Sequence, residues 1–320
     1  MKRYLIVFLL AALLMPSCKK DKDTEVLPSL EGSLYFVMKP YYRAGDEVTL
    51  KPIGITHPEG KGIGYWWLVS AVESERDTVK LENEDKVPLK TFTVPDDKTG
   101  YCSVSCSAFA SGYYSTSASQ DFYIVDPKIN QTIYFTGILQ FDDKFTVASE
   151  REGEGNYYTL EKDGLTWMRN NLANTSCGVP YADCEVMSYP LGRFYTWEEA
   201  QTACPEGWRL PTDAEWASWG TVAGDLMVNA YMDEVPLWEY WPQVKITNST
   251  SMCVLPSGYA VVSEHNQFQG FCEYAAFWTA DTDPDDAAKA LYRYINVNDP
   301  KVFTGSADKT SYGASVRCVK

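Results

Sequence analysis

The stretch CPEGWRLPTDAEW, residues 204–216, indicates more about the fold of this chain than any other segment. Thr212 and Glu215 have the spacing of a capping box, in which each side chain accepts a hydrogen bond from the other residue's backbone amide. This pairing predicts a helix that begins at Asp213 and ends near Gly220. Because the stretch is explained by a capped helix with tryptophan and leucine neighbours, it indicates architecture rather than catalysis.

A second capping box lies just upstream of this stretch. Thr196 and Glu199 predict a helix over Trp197–Ala203, and Pro205 ends it because proline has no amide hydrogen to donate. Short strand candidates and long loops make up most of the remaining sequence on either side. We therefore predict an α+β domain over residues 131–320.

The preceding part of the chain, residues 33–126, predicts an all-β domain. Its short runs of β-branched and aromatic residues are separated by clusters of Gly, Pro, Asp and Asn, which is typical of strands joined by turns. The strand candidates are Leu34–Val37, Glu47–Leu50, Tyr65–Val69, Lys90–Val94, Tyr101–Phe109 and Asp121–Val125. Their order resembles an Ig-like sandwich of the polycystic kidney disease (PKD) type.

The first residues have the pattern of a bacterial lipoprotein leader. A short basic start precedes an apolar run from Tyr4 to Met15, which is too short to cross a bilayer as a permanent helix. Cys18 ends the sequence Met-Pro-Ser-Cys, which resembles a lipobox with Cys18 as the lipidated residue. We expect residues 1–17 to be a signal peptide and residues 18–32 a charged tether, with an ordinary signal peptide as the alternative.

The charge balance restricts the partners of the chain. It contains 28 Lys and Arg against 43 Asp and Glu, which gives a formal net charge of −15. An acidic surface argues against nucleic acid and against electrostatic docking on anionic lipid. Attachment to the membrane would therefore depend on acyl chains, such as palmitate. We expect the protein to be anchored by lipid in the outer membrane and to face the cell surface.

Nine cysteines indicate disulfides in a chain that carries a leader to an oxidising compartment. With Cys18 set aside, eight remain. Cys102 and Cys106 are four residues apart on one predicted strand, so their Cα atoms would lie ~13 Å apart at ~3.3 Å per residue. Because that exceeds the ~7 Å limit for a disulfide, we expect two unbridged thiols there unless a bulge intervenes.

Six blocks in the C-terminal half resemble a known bacterial family. They are GLTWMRNNL at 164–172, GRFYTW at 192–197, ACPEGWRLPT at 203–212, LPSGY at 255–259, FWT at 277–279 and SVRCV at 315–319. In this order they resemble the Fibrobacter succinogenes major paralogous domain, over roughly residues 159–320. The resemblance implies a cell-surface protein with a C-type-lectin-like fold, which formylglycine-generating enzymes share.

The same resemblance implies one disulfide among the remaining six cysteines. In lectin-like folds a bridge ties the first helix to the last strand, which here would be Cys204–Cys318. Cys253 and Cys272 flank a predicted strand pair, and Cys177 and Cys184 flank a loop that contains a proline, so we also expect Cys253–Cys272 and Cys177–Cys184. Zinc is the competing use, but none of these pairs has the spacing that zinc ligands prefer, and His265 is the single histidine of this half.

The resemblance leaves an enzyme as an alternative. Formylglycine-generating enzymes share the sequence present here at residues 209–216. To be an enzyme of that type, this chain would need reactive thiols and copper bound by them. The cysteines of this half already have predicted structural partners. His57 and His265 lie in different predicted domains, which argues against a Ser-His-Asp arrangement. We predict no enzymatic activity, no catalytic residues and no cofactor.

Two sets of residues remain as candidates for binding. Asp281, Asp283 and Asp285 partly copy a calcium-binding loop, but the loop lacks the expected glycine and terminal glutamate, so a solvated acidic loop is favoured. Trp238, Tyr240 and Trp241 form an aromatic cluster that could stack on sugars or anchor a protein partner, or simply cover the fold. We expect a non-catalytic adhesin or glycan- or protein-binding accessory protein, with a structural or fimbrial assembly subunit as the alternative.

Overall fold

The computed structural model describes residues 26–70, 77–79, 89–98, 100–125, 143–146, 156–232, 235–238 and 244–320. The predicted leader, Cys18 and most of the tether lie outside the described residues, as do Tyr240 and Trp241. Within the described part of the chain, no helix is long and apolar enough to cross a membrane.

The described elements of the N-terminal half are all strands. They are β1 (Glu31–Tyr35), β2 (Tyr41–Tyr42), β3 (Glu47–Leu50), β4 (Ile53–Thr56), β5 (Gly64–Val69), β6 (Asp77–Val79), β7 (Lys90–Thr93), β8 (Gly100–Phe109) and β9 (Thr116–Ile124). Strands β2-β9-β8-β5-β6 form one sheet, while β1 pairs with β4 and β3 pairs with β7. The six predicted strands all correspond to strands of the structure.

These strands enclose one apolar core. Trp67 and Phe36 are each 1 % exposed, and their rings meet edge to face at 5.2 Å. Cys102 and Cys106 lie on β8, opposite Phe122 and Ala118 of β9. Both are buried and neither forms a disulfide, which confirms the prediction of two unbridged thiols. Burial raises the pKa of Cys106 to about 12, so its thiol stays protonated.

The C-terminal half combines short helices with more strands. Its first elements are β10 (Asp143–Thr146), β11 (Asn156–Lys162), β12 (Leu165–Met168), β13 (Val179–Pro180), α1 (Ser188–Leu191), β14 (Arg193–Phe194), α2 (Trp197–Ala203), α3 (Asp213–Ala217) and α4 (Ala223–Leu226). Two 3-10 turns, Tyr181–Asp183 and Glu185–Met187, precede α1.

The remaining elements that the structure describes are all strands. They are β15 (Tyr231–Met232), β16 (Val235–Pro236), β17 (Tyr259–Val261), β18 (Gln267–Gln269), β19 (Tyr274–Thr282), β20 (Lys289–Asn296), β21 (Val302–Asp308) and β22 (Tyr312–Gly313). Three-stranded sheets have the orders β10-β11-β12, β18-β17-β22 and β19-β20-β21. The pairings within β19-β20-β21 are antiparallel.

Both predicted capping boxes are present. At α2, the Thr196 amide donates to Glu199 Oε2 at 2.8 Å and the Glu199 amide donates to Thr196 Oγ1 at 3.3 Å. At α3, the corresponding distances between Thr212 and Glu215 are 2.7 Å and 3.2 Å. Helix α3 ends at Ala217, before the predicted end at Gly220. The amides of Trp219 and Gly220 donate to the carbonyls three residues back, so the chain continues in tighter turns instead of the helix.

The predicted bridge between Cys204 and Cys318 is present, with a Cα–Cα distance of 5.9 Å and a sequence separation of 114. The predicted bridge between Cys253 and Cys272 is not formed. Cys253 Sγ instead lies 3.1 Å from Arg169 Nη2 and 3.3 Å from the Ser251 carbonyl. Flanking a strand pair in sequence therefore did not bring these two sulfurs together.

The predicted bridge between Cys177 and Cys184 is also not formed. Cys184 is 1 % exposed, and its thiol donates to the Ala182 carbonyl at 3.2 Å inside the consecutive 3-10 turns. Those turns direct the Cys184 sulfur into its own loop and apolar surroundings. Burial is the main reason that the pKa of Cys184 is raised.

Candidate functional site

Of the three aromatic candidates for ligand binding, the structure describes Trp238. It is 3 % exposed, and its indole Nε1 donates to the Val254 carbonyl at 3.3 Å. It packs in an apolar core beside Val244 and Val254, two residues after β16. This burial favours the alternative that Trp238 covers the fold over a role in stacking on a ligand. Tyr240 and Trp241 lie outside the described residues.

Two of the three candidate calcium ligands accept hydrogen bonds within the protein. Asp281 Oδ2 accepts from the Asp213 amide at 2.6 Å, and Asp283 accepts from the Asp285 amide at 2.9 Å and from the Ser306 hydroxyl. In the parts of the chain that the structure describes, no group of three or more His, Cys, Asp and Glu could hold a metal. Asp281, Asp283 and Asp285 therefore do not converge on one point in the structure.

A cavity of about 770 Å³ lies where the two halves of the chain meet. Its lining includes charged residues of both signs, which are Lys39, Arg43, Asp46, Glu47 and Glu185. Arg43 pairs with Asp46 at 3.1 Å, and Glu185 pairs with Arg193 at 2.6 Å. Because the lining mixes both signs of charge, the cavity does not favour one class of ligand.

A second aromatic cluster lies on the surface of the C-terminal half. It consists of five tyrosines from four strands, namely Tyr259 of β17, Tyr274 of β19, Tyr292 and Tyr294 of β20, and Tyr312 of β22. All five side chains are partly exposed. We call this cluster the tyrosine face.

The rings of the tyrosine face touch in a closed circuit. Neighbouring centroids are 5.2 Å apart for Tyr274–Tyr294, 5.6 Å for Tyr294–Tyr292, 5.0 Å for Tyr292–Tyr312, 5.1 Å for Tyr312–Tyr259 and 5.5 Å for Tyr259–Tyr274. Four of these contacts have interplanar angles of 35° or less. The face therefore presents several neighbouring rings of similar orientation.

The strand period and the sheet register assemble this face. Tyr292 and Tyr294 are two residues apart, so both point to the same side of β20. Tyr292 lies opposite Gly305 of β21, and a Cβ atom on that glycine would approach Tyr292 Cζ to 2.5 Å. The glycine therefore leaves room for the ring to lie over β21. Phe303, two residues earlier, extends the surface by stacking on Tyr294 at 5.1 Å and 18°.

A buried tryptophan forms the floor of the tyrosine face. Trp278 of β19 is fully buried and meets Tyr312 at 5.6 Å and Tyr292 at 6.0 Å, nearly perpendicular to both. Its Nε1 donates to the Tyr195 carbonyl at 2.7 Å. This hydrogen bond fixes the indole, and the fixed indole limits how far the two tyrosine rings can tilt.

The tyrosine hydroxyls are neutral polar groups. Burial is the largest cause of a raised pKa for Tyr274 and for Tyr312, and neighbouring tyrosines raise both further. The Tyr259 hydroxyl donates to Gln269 Oε1 at 2.6 Å at the edge of the face. Each phenol can both donate and accept a hydrogen bond. The face therefore combines flat apolar surface with uncharged hydrogen-bonding groups.

Positive charge in this region is engaged away from the tyrosine face. Arg293 points to the opposite side of β20, where it pairs with Asp213 at 2.6 Å. Lys289 pairs with Asp286 at 3.0 Å, and Lys309 lies 4.5 Å from the centroid of the Trp197 ring. Among the described residues, the cation–ring contacts involve Trp197, Trp208, Trp219 and Phe277 rather than the tyrosines.

The sequence did not lead to a prediction of the tyrosine face, although part of its pattern is present there. Tyr292 and Tyr294 alternate in the manner of one strand face, and Gly305 follows in the next strand. The contributions of Tyr259 and Tyr312 depend on pairing between distant segments. That pairing could not be read from local spacing.

Together, the described residues define a β-rich protein of more than one domain. Comparison with protein families gives a match to the Fibrobacter succinogenes major domain over residues 143–320. Because the match spans more than half of the chain, the protein belongs to this family, which indicates a surface-associated protein. A comparison with curated proteins gives no match.

Proposed function

We propose that this protein is a non-catalytic lipoprotein of the outer membrane that binds a ligand with its tyrosine face. It would act as an adhesin or as an accessory binding protein on the outside of the cell. The observation that carries the proposal is the closed circuit of five partly exposed tyrosine rings above buried Trp278. Rings held by mutual contact are already ordered, so a ligand loses less binding free energy to their immobilisation.

The arrangement of the whole chain supports this role. Lipidated Cys18 would anchor the protein, the residues between it and Ser29 would act as a flexible tether, and an Ig-like domain, which the structure extends back to Ser29 and Leu30, would be a spacer. The C-type-lectin-like domain, residues 131–320, would then stand away from the membrane. With a net charge of −15, the protein would be repelled by anionic lipid, and acyl chains would hold it.

A structural or fimbrial assembly subunit is a second candidate, and β21 favours it. The sheet order β19-β20-β21 places this strand at an edge, and its sequence VFTGSAD contains neither lysine nor proline. Such residues commonly protect an edge from pairing with another chain. A strand from another subunit could therefore pair with β21. Polymerisation of the purified protein, abolished by a lysine at exposed Thr304, would support this candidate.

Binding through the tyrosine face can be tested with the mature chain from Lys19 onward. The protein would be applied to a panel of immobilised glycans and purified matrix proteins, beside Tyr294→Ala, Tyr259→Ala and Tyr114→Ala variants. Tyr114 is 50 % exposed in the N-terminal half and serves as the matched control. We expect saturable binding that both face variants weaken and the control retains. Absence of binding throughout the panel, or equal binding by all variants, would exclude the proposal.

The anchor needs its own experiment. Bacteria grown with a labelled palmitate analogue should incorporate label into the wild-type protein and not into Cys18→Ala. Protease treatment of intact cells would then report whether the protein faces outward. Equal labelling of wild type and variant would contradict lipidation at Cys18.

A further inference from the structure

We infer that the tyrosine face recognises a neutral oligosaccharide, at least two sugar rings long, without the help of a cation. This inference rests on the proposed function and names the ligand class of the same site. It follows from the size of the face, from the chemistry of its groups and from the charges around it.

The size of the tyrosine face suits a short oligosaccharide. Neighbouring rings in the circuit are 5.0 to 5.6 Å apart, so the face is only a few rings across. A stable protein interface buries about 800 Å² on each partner and usually combines aromatic anchors with aliphatic and arginine contacts. The face consists of phenol rings together with Phe303. Its extent suits two or three sugar rings better than a protein surface.

The groups of the tyrosine face complement those of a sugar ring. A sugar ring presents C–H groups on its flat sides and hydroxyls around its edge, so it needs apolar surface and hydrogen-bonding groups close together. The stacked pairs Tyr259–Tyr312 and Tyr274–Tyr294 supply two flat surfaces, with interplanar angles of 23° and 25°. Phenol hydroxyls and the Gln269 amide supply donors and acceptors at the edge. Sites for small ligands generally combine apolar walls with a few placed polar groups.

The charges near the tyrosine face favour a neutral sugar. Tyr294 has a raised pKa because of burial, then Tyr292 and then Asp299, which places a carboxylate near this end of the face. The nearby cations are engaged elsewhere, as Arg293 is by Asp213 and Lys289 is by Asp286. A sialylated or sulfated sugar would meet this carboxylate on a protein with a net charge of −15. A neutral sugar avoids that repulsion.

The expected independence from metal follows from the same groups. Calcium-assisted recognition of sugars needs several oxygen ligands at one point, and carboxylates are the usual source. The tyrosine face is built from phenols, and across the described ranges no cluster of acidic residues could hold a metal. Chelator should therefore leave binding unchanged.

The test is a glycan array that contains neutral, sialylated, sulfated and amino sugars, together with an arm of immobilised proteins. Each arm would be run with calcium and with chelator. We expect binding to neutral oligosaccharides, with affinity rising from one sugar unit to two or three. Tyr294→Ala should weaken binding roughly tenfold, since a lost ring contact is worth about 1.4 kcal/mol. Tyr294→Phe should lose much less, and Tyr114→Ala nothing.

Each other outcome has a definite meaning. Binding confined to the protein arm, and lost in Tyr294→Ala, would overturn the carbohydrate inference while leaving the tyrosine face as a binding site. Preference for sialylated or sulfated glycans, or loss of binding with chelator, would also overturn it. No binding in any arm would remove both the inference and the proposed function. Thermal melting followed by circular dichroism would establish that Tyr294→Ala is folded, and Tyr259→Ala would be read in its place if it were not.

Discussion

Arg293 and Asp213 form a two-point ion pair that joins helix α3 to β20, the strand that carries two of the five tyrosines of the tyrosine face. Arg293 Nε lies 2.6 Å from Asp213 Oδ1, and Arg293 Nη2 lies 2.7 Å from Asp213 Oδ2. Arg293 stands between Tyr292 and Tyr294 in the chain, but its side chain points to the opposite side of β20. The first residue of the helix in the 204–216 stretch therefore holds the sheet beneath the tyrosine face.

Removing Asp213 should destabilise the protein and indirectly weaken the tyrosine face. The side chains of Arg293 and Asp213 are 14 % and 27 % exposed, so Asp213→Ala leaves a mostly buried guanidinium without its carboxylate. We expect a loss of roughly 1–3 kcal/mol in the free energy of unfolding, measured by urea denaturation.

The control for this pair is the exposed ion pair between Lys289, the first residue of β20, and Asp286 in the turn before it. Their side chains are 42 % and 46 % exposed, and Asp286→Ala should not change the urea midpoint measurably. Similar losses in the two variants would show that burial of the Arg293–Asp213 pair is not what makes it important. The double variant Asp213→Ala/Arg293→Ala should recover part of the loss if the unpaired charge is its cause.

The disulfide between Cys204 and Cys318 should be a major source of stability. It closes a loop with a sequence separation of 114, which the chain-entropy account values at up to about 4–5 kcal/mol. We expect Cys204→Ser/Cys318→Ser to melt at a much lower temperature than the wild type in a thermal scan. Dithiothreitol should lower the melting temperature of the wild type and have no effect on the double variant. A reductant-sensitive double variant would indicate that another bridge forms in solution.

What could be predicted from the sequence depended on how local each feature is. The capping boxes at Thr196 and Thr212 are set by residues three positions apart, so spacing alone identified them. The Cys204–Cys318 bridge followed from the family resemblance. The place of Trp238 stayed open because a run of aromatic residues between prolines does not distinguish surface from core. Its burial is decided by packing against Val254, which local sequence does not reveal.

Glu215 should make stability sensitive to acid. Hydrogen bonding from Arg209 is the main reason that its pKa is lowered to about 2, and the Thr212 amide contributes. Because the folded pKa lies below the unfolded value of about 4.3, the stabilisation is complete above that value and is lost as the pH falls toward 2. Arg209 is half exposed, so we expect solvent screening to limit the effect to about 1 kcal/mol.

The measurement is urea unfolding at pH 7, 5 and 3 for the wild type, Glu215→Gln and Glu206→Gln. Glu206 is exposed and lies in the same stretch, which makes it a suitable control. Glu215→Gln should be less stable than the wild type at pH 7, and the difference should shrink at pH 3. A difference that stays constant with pH would mean that Glu215 acts by packing or helix capping rather than by its charge.

Gly305 should be required for the shape of the tyrosine face. An added Cβ would lie 2.5 Å from Tyr292 Cζ, inside van der Waals contact, so the ring would have to swing away from β21. Tyr292 contacts both Tyr294 and Tyr312, and the displacement would break the closed circuit. We expect Gly305→Ala to weaken ligand binding severalfold while costing about 1 kcal/mol or less in stability, since Tyr292 lies partly at the surface.

Gly62→Ala is the matched control, because an added Cβ there meets nothing within 4 Å. Unchanged binding by Gly305→Ala would show that recognition does not depend on how Tyr292 is seated, and would move the site toward Tyr259 and Tyr274.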